Sequence, residues 1–186
     1  MKNKLFSALA LISAIVIFAG TAHAGSPQTG TPGVLKVAFN GDMPMTGQDA
    51  NGNLIGTDGS LMVFIAENLG LKVEPHLMEW SAEIQSTKQG KTDIMHGAMG
   101  WIESRTKIML LTDPIYYFGT AATMKKGNNW TTFADMKGRC VSTVSGFTLV
   151  PELKSVEGIG EVKLYDTTDG ALRDLIAGRC DMALLD

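Results

Sequence analysis

One arginine follows a glycine-bearing turn in the segment GKTDIMHGAMGWIESR, residues 90–105. The mostly apolar DIMH predicts a short buried strand, and Gly97 and Gly100 allow the backbone to turn tightly after it. Backbone N–H groups at such a junction between a strand and a helix favour an anion. The guanidinium of Arg105 can pair with a carboxylate through two parallel hydrogen bonds. The segment therefore predicts a pocket for a small carboxylate rather than a catalytic centre, unless Arg105 is an ordinary residue on a helix surface.

The elements that must position this pocket alternate between strand and helix. The first half has predicted strands at residues 34–39, 71–78 and 93–96, with helices at 58–69 and 81–89. The second half has predicted strands at residues 140–144, 161–165 and 181–185, with helices at 147–154 and 169–177. A β-α-β-α-β order implies a parallel sheet with helices on its faces. Because this order occurs twice, the sequence predicts two similar α/β lobes.

The sequence also predicts how the first two helices begin and how the first one packs. Asp58 is expected to cap the first helix, and Ser81 the second, because short polar side chains favour that position. In the first helix, the spacing of Leu61, Ile65 and Leu69 predicts that these side chains form one buried face.

The first 24 residues have the features of an export signal. Lys2 and Lys4 precede an apolar run, and Ala22-His23-Ala24 forms a small-x-small cleavage site, so cleavage is expected after Ala24. A membrane anchor is the alternative, although the run is short for a bilayer-spanning helix. Residues 25–33 form a flexible leader. The net charge is −3 and there is no basic tract, so nucleic acid and anionic membrane surfaces are poor partners.

Both cysteines follow the predicted signal, and each precedes or begins a predicted strand. In the oxidising compartment that export implies, a disulfide between Cys140 and Cys180 is the leading interpretation, with two buried free thiols as the alternative. These cysteines and the distant His76 and His96 form no ligand cluster, so no metal is expected. We expect no other cofactor either.

The same segments resemble the family 3 solute-binding proteins, which are the periplasmic amino-acid receptors of bacterial ABC importers. The resemblance lies in GKTD before the third predicted strand, GAMG after it, Arg105 and the later TDPIYY. It extends from about residue 35 to residue 186. It implies an α/β fold of two lobes, the type II or Venus-flytrap fold, with ligand held in the cleft. We expect lobe 1 at residues 34–115, a hinge crossover at 116–126 and lobe 2 at 127–186.

In lobe 1, the resemblance implies that Arg105 holds the α-carboxylate of an amino acid, helped by backbone N–H groups near Ala98 and Gly100. A hydroxyl-bearing residue is usual at those two positions, and this chain has none there. Trp80 lies where the family often has an aromatic wall against the ligand, although packing in the core is an alternative role. Met43 lies where an aromatic residue is common.

Four further residues of the predicted site follow the ends of other predicted strands. Asn40 lies where many relatives have an acidic group. In lobe 2, Gly146 and Thr148 match a glycine-plus-hydroxyl turn that binds the carboxylate from across the cleft, although Thr148 could instead be a helix cap. Asp186 lies where relatives have an acid that pairs with the α-ammonium, and its alternative is a solvated carboxylate at a strand end.

The resemblance implies a non-enzymatic periplasmic receptor that binds a polar amino acid or similar small zwitterion and docks on an ABC permease. Relatives continue beyond the position of Asp186 and return to lobe 1, so we expect a truncated chain in which lobe 2 and that return are incomplete. An enzyme on the same clamp, using Glu79, His96 or Glu103 as a base, is one alternative. A sensory domain of a membrane receptor is another.

Overall fold

The structure is a computed structural model that describes residues 27–186. The predicted export signal and the first two residues of the predicted leader lie outside the described residues. None of the helices within residues 27–186 combines the length and the apolar composition that crossing a bilayer requires.

Lobe 1 is built around a parallel sheet. Its elements in chain order are β1 (Val34–Phe39), β2 (Gly47–Gln48), β3 (Leu54–Ile55), α1 (Thr57–Asn68), β4 (Lys72–Leu77), α2 (Trp80–Lys88), β5 (Ile94–Met95) and α3 (Glu103–Thr106). The strand order is β4-β1-β5, with both pairs parallel, and β2 and β3 form a small antiparallel ribbon. The fully buried residues Val37 and Phe39 of β1 pack against Met62 and Ala66 of α1 in the core of this lobe.

The orientation predicted for α1 is wrong. Gly59, Met62 and Ala66 face the core, whereas Ile65 and Leu69 are exposed. This buried stripe is rotated by about 90° from the predicted one, since each residue advances about 100° around the helix. Met62 and Ala66 pack in the cluster that contains Val37 and Phe39 of β1, and this contact sets the buried face of α1.

The predicted helix caps are also wrong. The residue before α1 is Gly56, which has no capping side chain, and the residue before α2 is Glu79. Asp58 lies inside the first turn of α1, where its negative charge still favours the positive end of the helix dipole. Its carboxylate is used for a contact across the lobe, described below.

Lobe 2 has the same parallel arrangement with an added edge strand. Its elements are β6 (Ala121–Met124), a 3₁₀ helix (Phe133–Met136), β7 (Cys140–Val144), α4 (Val150–Ser155), β8 (Glu161–Tyr165), α5 (Thr168–Ala177) and β9 (Met182–Leu185). The strand order is β6-β9-β7-β8, in which only the β6–β9 pair is antiparallel. The strand β6 comes from the segment predicted as the hinge crossover, so this segment also extends the sheet of lobe 2.

Cys140 and Cys180 form a disulfide, as predicted. Cys140 begins β7, and Cys180 lies just before β9, which is the neighbour of β7 in the sheet. The bond closes a loop with a sequence separation of 40 residues across lobe 2.

Removing this disulfide should destabilise the protein substantially. A double variant, Cys140→Ala with Cys180→Ala, is expected to lower the free energy of unfolding by about 3–4 kcal/mol, because the unfolded chain gains the entropy of an open loop. Urea denaturation checks this, and the reduced wild-type protein provides the control, since it should show the same shift. A loss below about 1 kcal/mol would show that the bond contributes little.

Candidate functional site

Arg105 lies where the two lobes meet. It comes from the short helix α3, and its side chain is buried, with the residue only 7% exposed. The guanidinium donates from Nη1 to the carbonyl oxygen of Gly100 at 2.9 Å and from Nη2 to that of Gly146 at 2.8 Å. Gly100 belongs to lobe 1 and Gly146 to lobe 2, so one guanidinium bridges both lobes.

The electrostatic surroundings of Arg105 are suited to an anion. Burial lowers the pKa of Arg105, and the negative charge of Asp186 partly offsets this effect. An arginine keeps its proton in proteins, so a buried positive charge stands at the junction of the lobes. In this structure both of its hydrogen-bonding partners are neutral carbonyls, which bind a cation more weakly than a carboxylate does.

Trp80 forms the apolar wall of the same junction. It begins α2, is only 3% exposed, and lies under the guanidinium of Arg105, whose Cζ is 5.7 Å from the ring centroid. Its ring meets Phe147 of lobe 2 edge to face, with centroids 6.2 Å apart. Trp80 also packs in a cluster with Val144 and Leu185 of lobe 2. It is therefore both an aromatic wall and a core residue shared by the two lobes.

Two glycines allow the lobes to come this close. A Cβ on Gly100 would lie 3.1 Å from Cγ2 of Thr148, and a Cβ on Gly146 would lie 3.2 Å from the ring of Trp80. Gly146 also has a φ of 87°, which L side chains rarely adopt. The structure thus brings together, from both lobes, the predicted site residues Trp80, Gly100, Arg105, Gly146 and Thr148.

The backbone amide of Ala98 has a hydrogen-bonding partner within the protein. Its N–H donates to Oδ2 of Asp58 at 3.0 Å, and the hydroxyl of Tyr116 donates to the same carboxylate, at 2.9 Å to Oδ2. The turn after β5 therefore does bind an anion, but in this structure that anion is Asp58. Burial, followed by this hydrogen bond, raises the pKa of Tyr116 to about 12.

The Asp58 contact ties α1, the turn and the crossover segment together, and its loss should be measurable. We expect Tyr116→Phe to lower the free energy of unfolding by about 1 kcal/mol, because a carboxylate loses one hydrogen bond. The neighbouring Tyr117 is 95% exposed, so Tyr117→Phe is a matched control that should have no effect. Thermal or urea denaturation of the three proteins checks the prediction, and equal stabilities would contradict it.

The other predicted site residues lie around this junction with different roles. Asp186 follows β9, is exposed, and accepts a hydrogen bond from Oγ1 of Thr120 at 2.6 Å. Asn40 lines the interlobe cavity and donates from Nδ2 to Asp42 at 2.7 Å. Met43 lies on an exposed loop after β1 and is not among the residues that line this cavity.

The lobes are closed on each other. The cavity between them measures only about 10 Å³, and its lining includes Asp42, Trp80 and Thr168. Thr168 of lobe 2 donates to Oδ2 of Asp42 in lobe 1 at 3.2 Å, so Asp42 forms a second bridge between the lobes. Sequence reasoning missed Asp42, and no motif singled it out. A cavity of this volume has room for about one water molecule.

A larger cavity, of about 320 Å³, lies in lobe 2 among Trp130, Met136, Leu153 and Leu184. None of the predicted site residues lines it, and its walls lack charged groups that converge on one point.

Within the described residues, no group of three or more His, Cys, Asp or Glu side chains is placed to hold a metal ion.

The fold and the site define a two-lobed binding protein of the type II periplasmic class. Residues 35–179 match the bacterial extracellular solute-binding proteins, family 3, and the chain belongs to this family. The match confirms the predicted family and the predicted fold.

Among curated relatives, the chain is 27% identical over 184 residues to the probable amino-acid-binding protein YxeM of Bacillus subtilis, covering 97% of this chain and 70% of that protein. It is 25% identical over 180 residues to the lysine/arginine/ornithine-binding periplasmic protein of Escherichia coli, covering 94% and 69%. The chain spans between 55% and 70% of the length of the curated relatives it matches.

The structure is also similar to that of an ancestral arginine-binding protein bound to glutamine. The TM-score is 0.77 at 33% sequence identity, and the match covers 83% of this chain and 69% of that one. These relatives are binding proteins rather than enzymes, in agreement with the sequence analysis.

Proposed function

We propose that the protein is the periplasmic substrate-binding component of an ABC importer and that it holds one zwitterionic amino acid between its lobes. The observation that carries the proposal is the position of Arg105, a buried cation whose two hydrogen-bonding directions point to one carbonyl from each lobe. A carboxylate can accept both of these hydrogen bonds at once.

Ligand binding begins from an open form of the protein. The α-carboxylate replaces the carbonyls of Gly100 and Gly146 on Arg105, and this exchange is favourable because a carboxylate adds an opposite charge and can accept two parallel hydrogen bonds from the guanidinium, whereas the carbonyls are neutral. The apolar part of the ligand lies against Trp80, and Thr148 approaches the carboxylate from lobe 2. Asp186, whose charge already acts on Arg105, receives the α-ammonium.

Closure couples these contacts. Arg105 and Trp80 belong to lobe 1, whereas Thr148 and Asp186 belong to lobe 2, so the full set of contacts exists only in the closed form. A ligand shifts the equilibrium by its difference in affinity for the two forms. A micromolar affinity corresponds to about −8 kcal/mol, which two charge-assisted contacts and one apolar wall can supply. The permease then recognises the closed form.

Export places the protein in the periplasm. This part of the proposal is supported by the signal-like residues 1–24, by cleavage predicted after Ala24, and by the disulfide Cys140–Cys180, which suits an oxidising compartment. The Escherichia coli relative is named as a periplasmic protein.

Calorimetric titration of the purified protein with each common L-amino acid tests the proposal. At least one amino acid should bind with a dissociation constant in the micromolar range or below, and the same ligand should raise the melting temperature. If none of the amino acids binds or changes the melting temperature, the proposed function is wrong.

A further inference from the structure

Glu83 is a buried acid without a hydrogen-bonding partner. It is 0% exposed, and neither Oε1 nor Oε2 has a partner among the described residues. It lies on α2 three residues after Trp80, and residues with this spacing share one face of a helix. Glu83 therefore lies on the same side of α2 as the tryptophan that lines the cleft.

Other acidic groups surround this end of the cleft. The negative charges of Asp42, from the loop after β1, and of Glu79, just before α2, both act on Glu83. Asp42, Glu79 and Asp166 of lobe 2 line the interlobe cavity, and Asp169 of lobe 2 acts on Asp42. Within residues 27–186, no lysine, arginine or histidine forms a salt bridge with Asp42, Glu79 or Glu83.

This arrangement of acids is unfavourable without a positive charge beside it. Burial, and then the charges of Asp42 and Glu79, raise the pKa of Glu83 to about 9, so Glu83 holds a proton at neutral pH. A neutral carboxylic acid without a hydrogen-bonding partner still costs free energy when it is buried. Burial also raises the pKa of Asp42, although hydrogen bonds from Thr168 and Asn40 oppose that shift.

We infer that Asp42, Glu79 and Glu83 form a recognition site for a cationic side chain, so that the bound amino acid carries a guanidinium or an ammonium group at its far end. This inference rests on the proposed function. A cation is the partner that satisfies several carboxylates at once, and its charge favours their ionised forms. Trp80 lies next to both groups, because the guanidinium of Arg105 is over its ring and Asp42 and Glu79 line the interlobe cavity with it. Arg105 then binds the α-carboxylate, and the acidic site binds the side chain.

The inference includes the transfer of one proton from Glu83 to solvent. When the cation arrives, Glu83 loses its proton to solvent and becomes the carboxylate that pairs with the ligand. Binding therefore releases about one proton per ligand near neutral pH, because the approaching positive charge lowers the pKa of Glu83.

Arginine and citrulline provide the matched test. The two ligands share the α-carboxylate, the α-ammonium and the chain length, and citrulline has a neutral urea group in place of the guanidinium. Calorimetry on the wild-type protein should show arginine binding about 30-fold or more tightly than citrulline. Titrations in two buffers with different ionisation enthalpies should show the proton release for arginine only.

The variant Glu83→Gln should reduce the preference for arginine to about three-fold or less and abolish the proton release, because the amide cannot ionise. Glutamine nearly matches the shape of a protonated glutamate, so the fold should be retained. The control Glu67→Gln changes an exposed residue of α1 and should keep both the preference and the proton release.

The possible failures can be distinguished. If a neutral amino acid binds and arginine has no advantage over citrulline, the inference is wrong while the proposed function stands. If Glu83→Gln keeps both the preference for arginine and the proton release, Glu83 does not belong to the cation site and the inference as stated is wrong. If no amino acid binds the wild-type protein, both the proposed function and the inference are overturned.

Discussion

Arg105→Ala should weaken binding of the amino acid by about 30-fold or more, which corresponds to at least about 2 kcal/mol. The variant removes the only group that donates to both lobes at the junction described here, from Nη1 to Gly100 and from Nη2 to Gly146. The α-carboxylate would then be buried against Trp80 without a cation, and an unpaired buried charge is costly. Calorimetry with the best-binding amino acid measures the effect.

Two further variants sharpen this result. Arg105→Lys keeps the charge but loses the planar arrangement of donors, so its affinity should lie between those of the wild type and the alanine variant. Lys107→Ala removes an exposed cation two residues away, which pairs only with Glu103 at the surface, and should change affinity by less than about two-fold. If Arg105→Ala costs less than about 0.5 kcal/mol, the assignment of the carboxylate site is wrong.

Glu83→Leu should raise the free energy of unfolding by about 2–3 kcal/mol at pH 8, although the variant should also lose the preference for a cationic ligand. The leucine replaces a buried acid that has no hydrogen-bonding partner in the described structure by an apolar side chain of similar size. Urea denaturation of the two proteins without ligand measures the difference. Glu67→Leu, at an exposed position of α1, is the control and should change stability little.

The same pair of proteins should differ in their pH dependence. The pKa of Glu83 is about 9 in the folded protein, against the ordinary value of 4.5. Between these values the folded state holds a proton that the unfolded state has lost, so the wild-type protein loses stability as pH rises from about 5 to 9. Glu83→Leu should remove this contribution. Identical slopes of stability against pH in both proteins would show that Glu83 does not keep its proton on folding.

Both effects follow from a conflict between stability and binding at one cleft. In the structure, a buried arginine donates to neutral carbonyls, and a buried glutamic acid has no hydrogen-bonding partner among the described residues. Each of these groups gains a better partner only when a ligand of opposite charge is present. In the proposed function, these new contacts contribute to the affinity for the ligand.

The alternation of strands and helices was predictable from the sequence because it depends on local patterns. The apolar runs at β1, β7 and β9 and the turns between them predict parallel strands, and the structure has them. The two cysteines were predicted to pair because export implies an oxidising compartment, and each of them lies at the entry of a predicted strand.

The errors arose where contacts distant in sequence decide the outcome. In α1, the spacing of leucine and isoleucine suggested the buried face, but Met62 and Ala66 pack instead against Val37 and Phe39 of the distant strand β1. Asp58 has the sequence position of a helix cap, whereas its partners, Ala98 and Tyr116, are 40 and 58 residues away. No local signal reveals such a pairing.

The candidate site was predictable only in part for the same reason. Arg105 and Gly146 were each recognisable from their own turn, but the hydrogen bond between them, 41 residues apart, was not. Glu83 looks like any polar residue of a short helix. Its burial becomes evident only when α2 is packed between the lobes.

The central claim, that Arg105 binds the carboxylate of one amino acid between the two lobes, is tested most directly by removing that carboxylate from the ligand. Calorimetry should compare the best-binding amino acid with the amine that remains after decarboxylation, which keeps the same side chain and the same ammonium. We predict that the amine binds at least about 30-fold more weakly to the wild-type protein and that this difference disappears in Arg105→Ala. Equal affinity of the wild-type protein for both ligands would contradict the account.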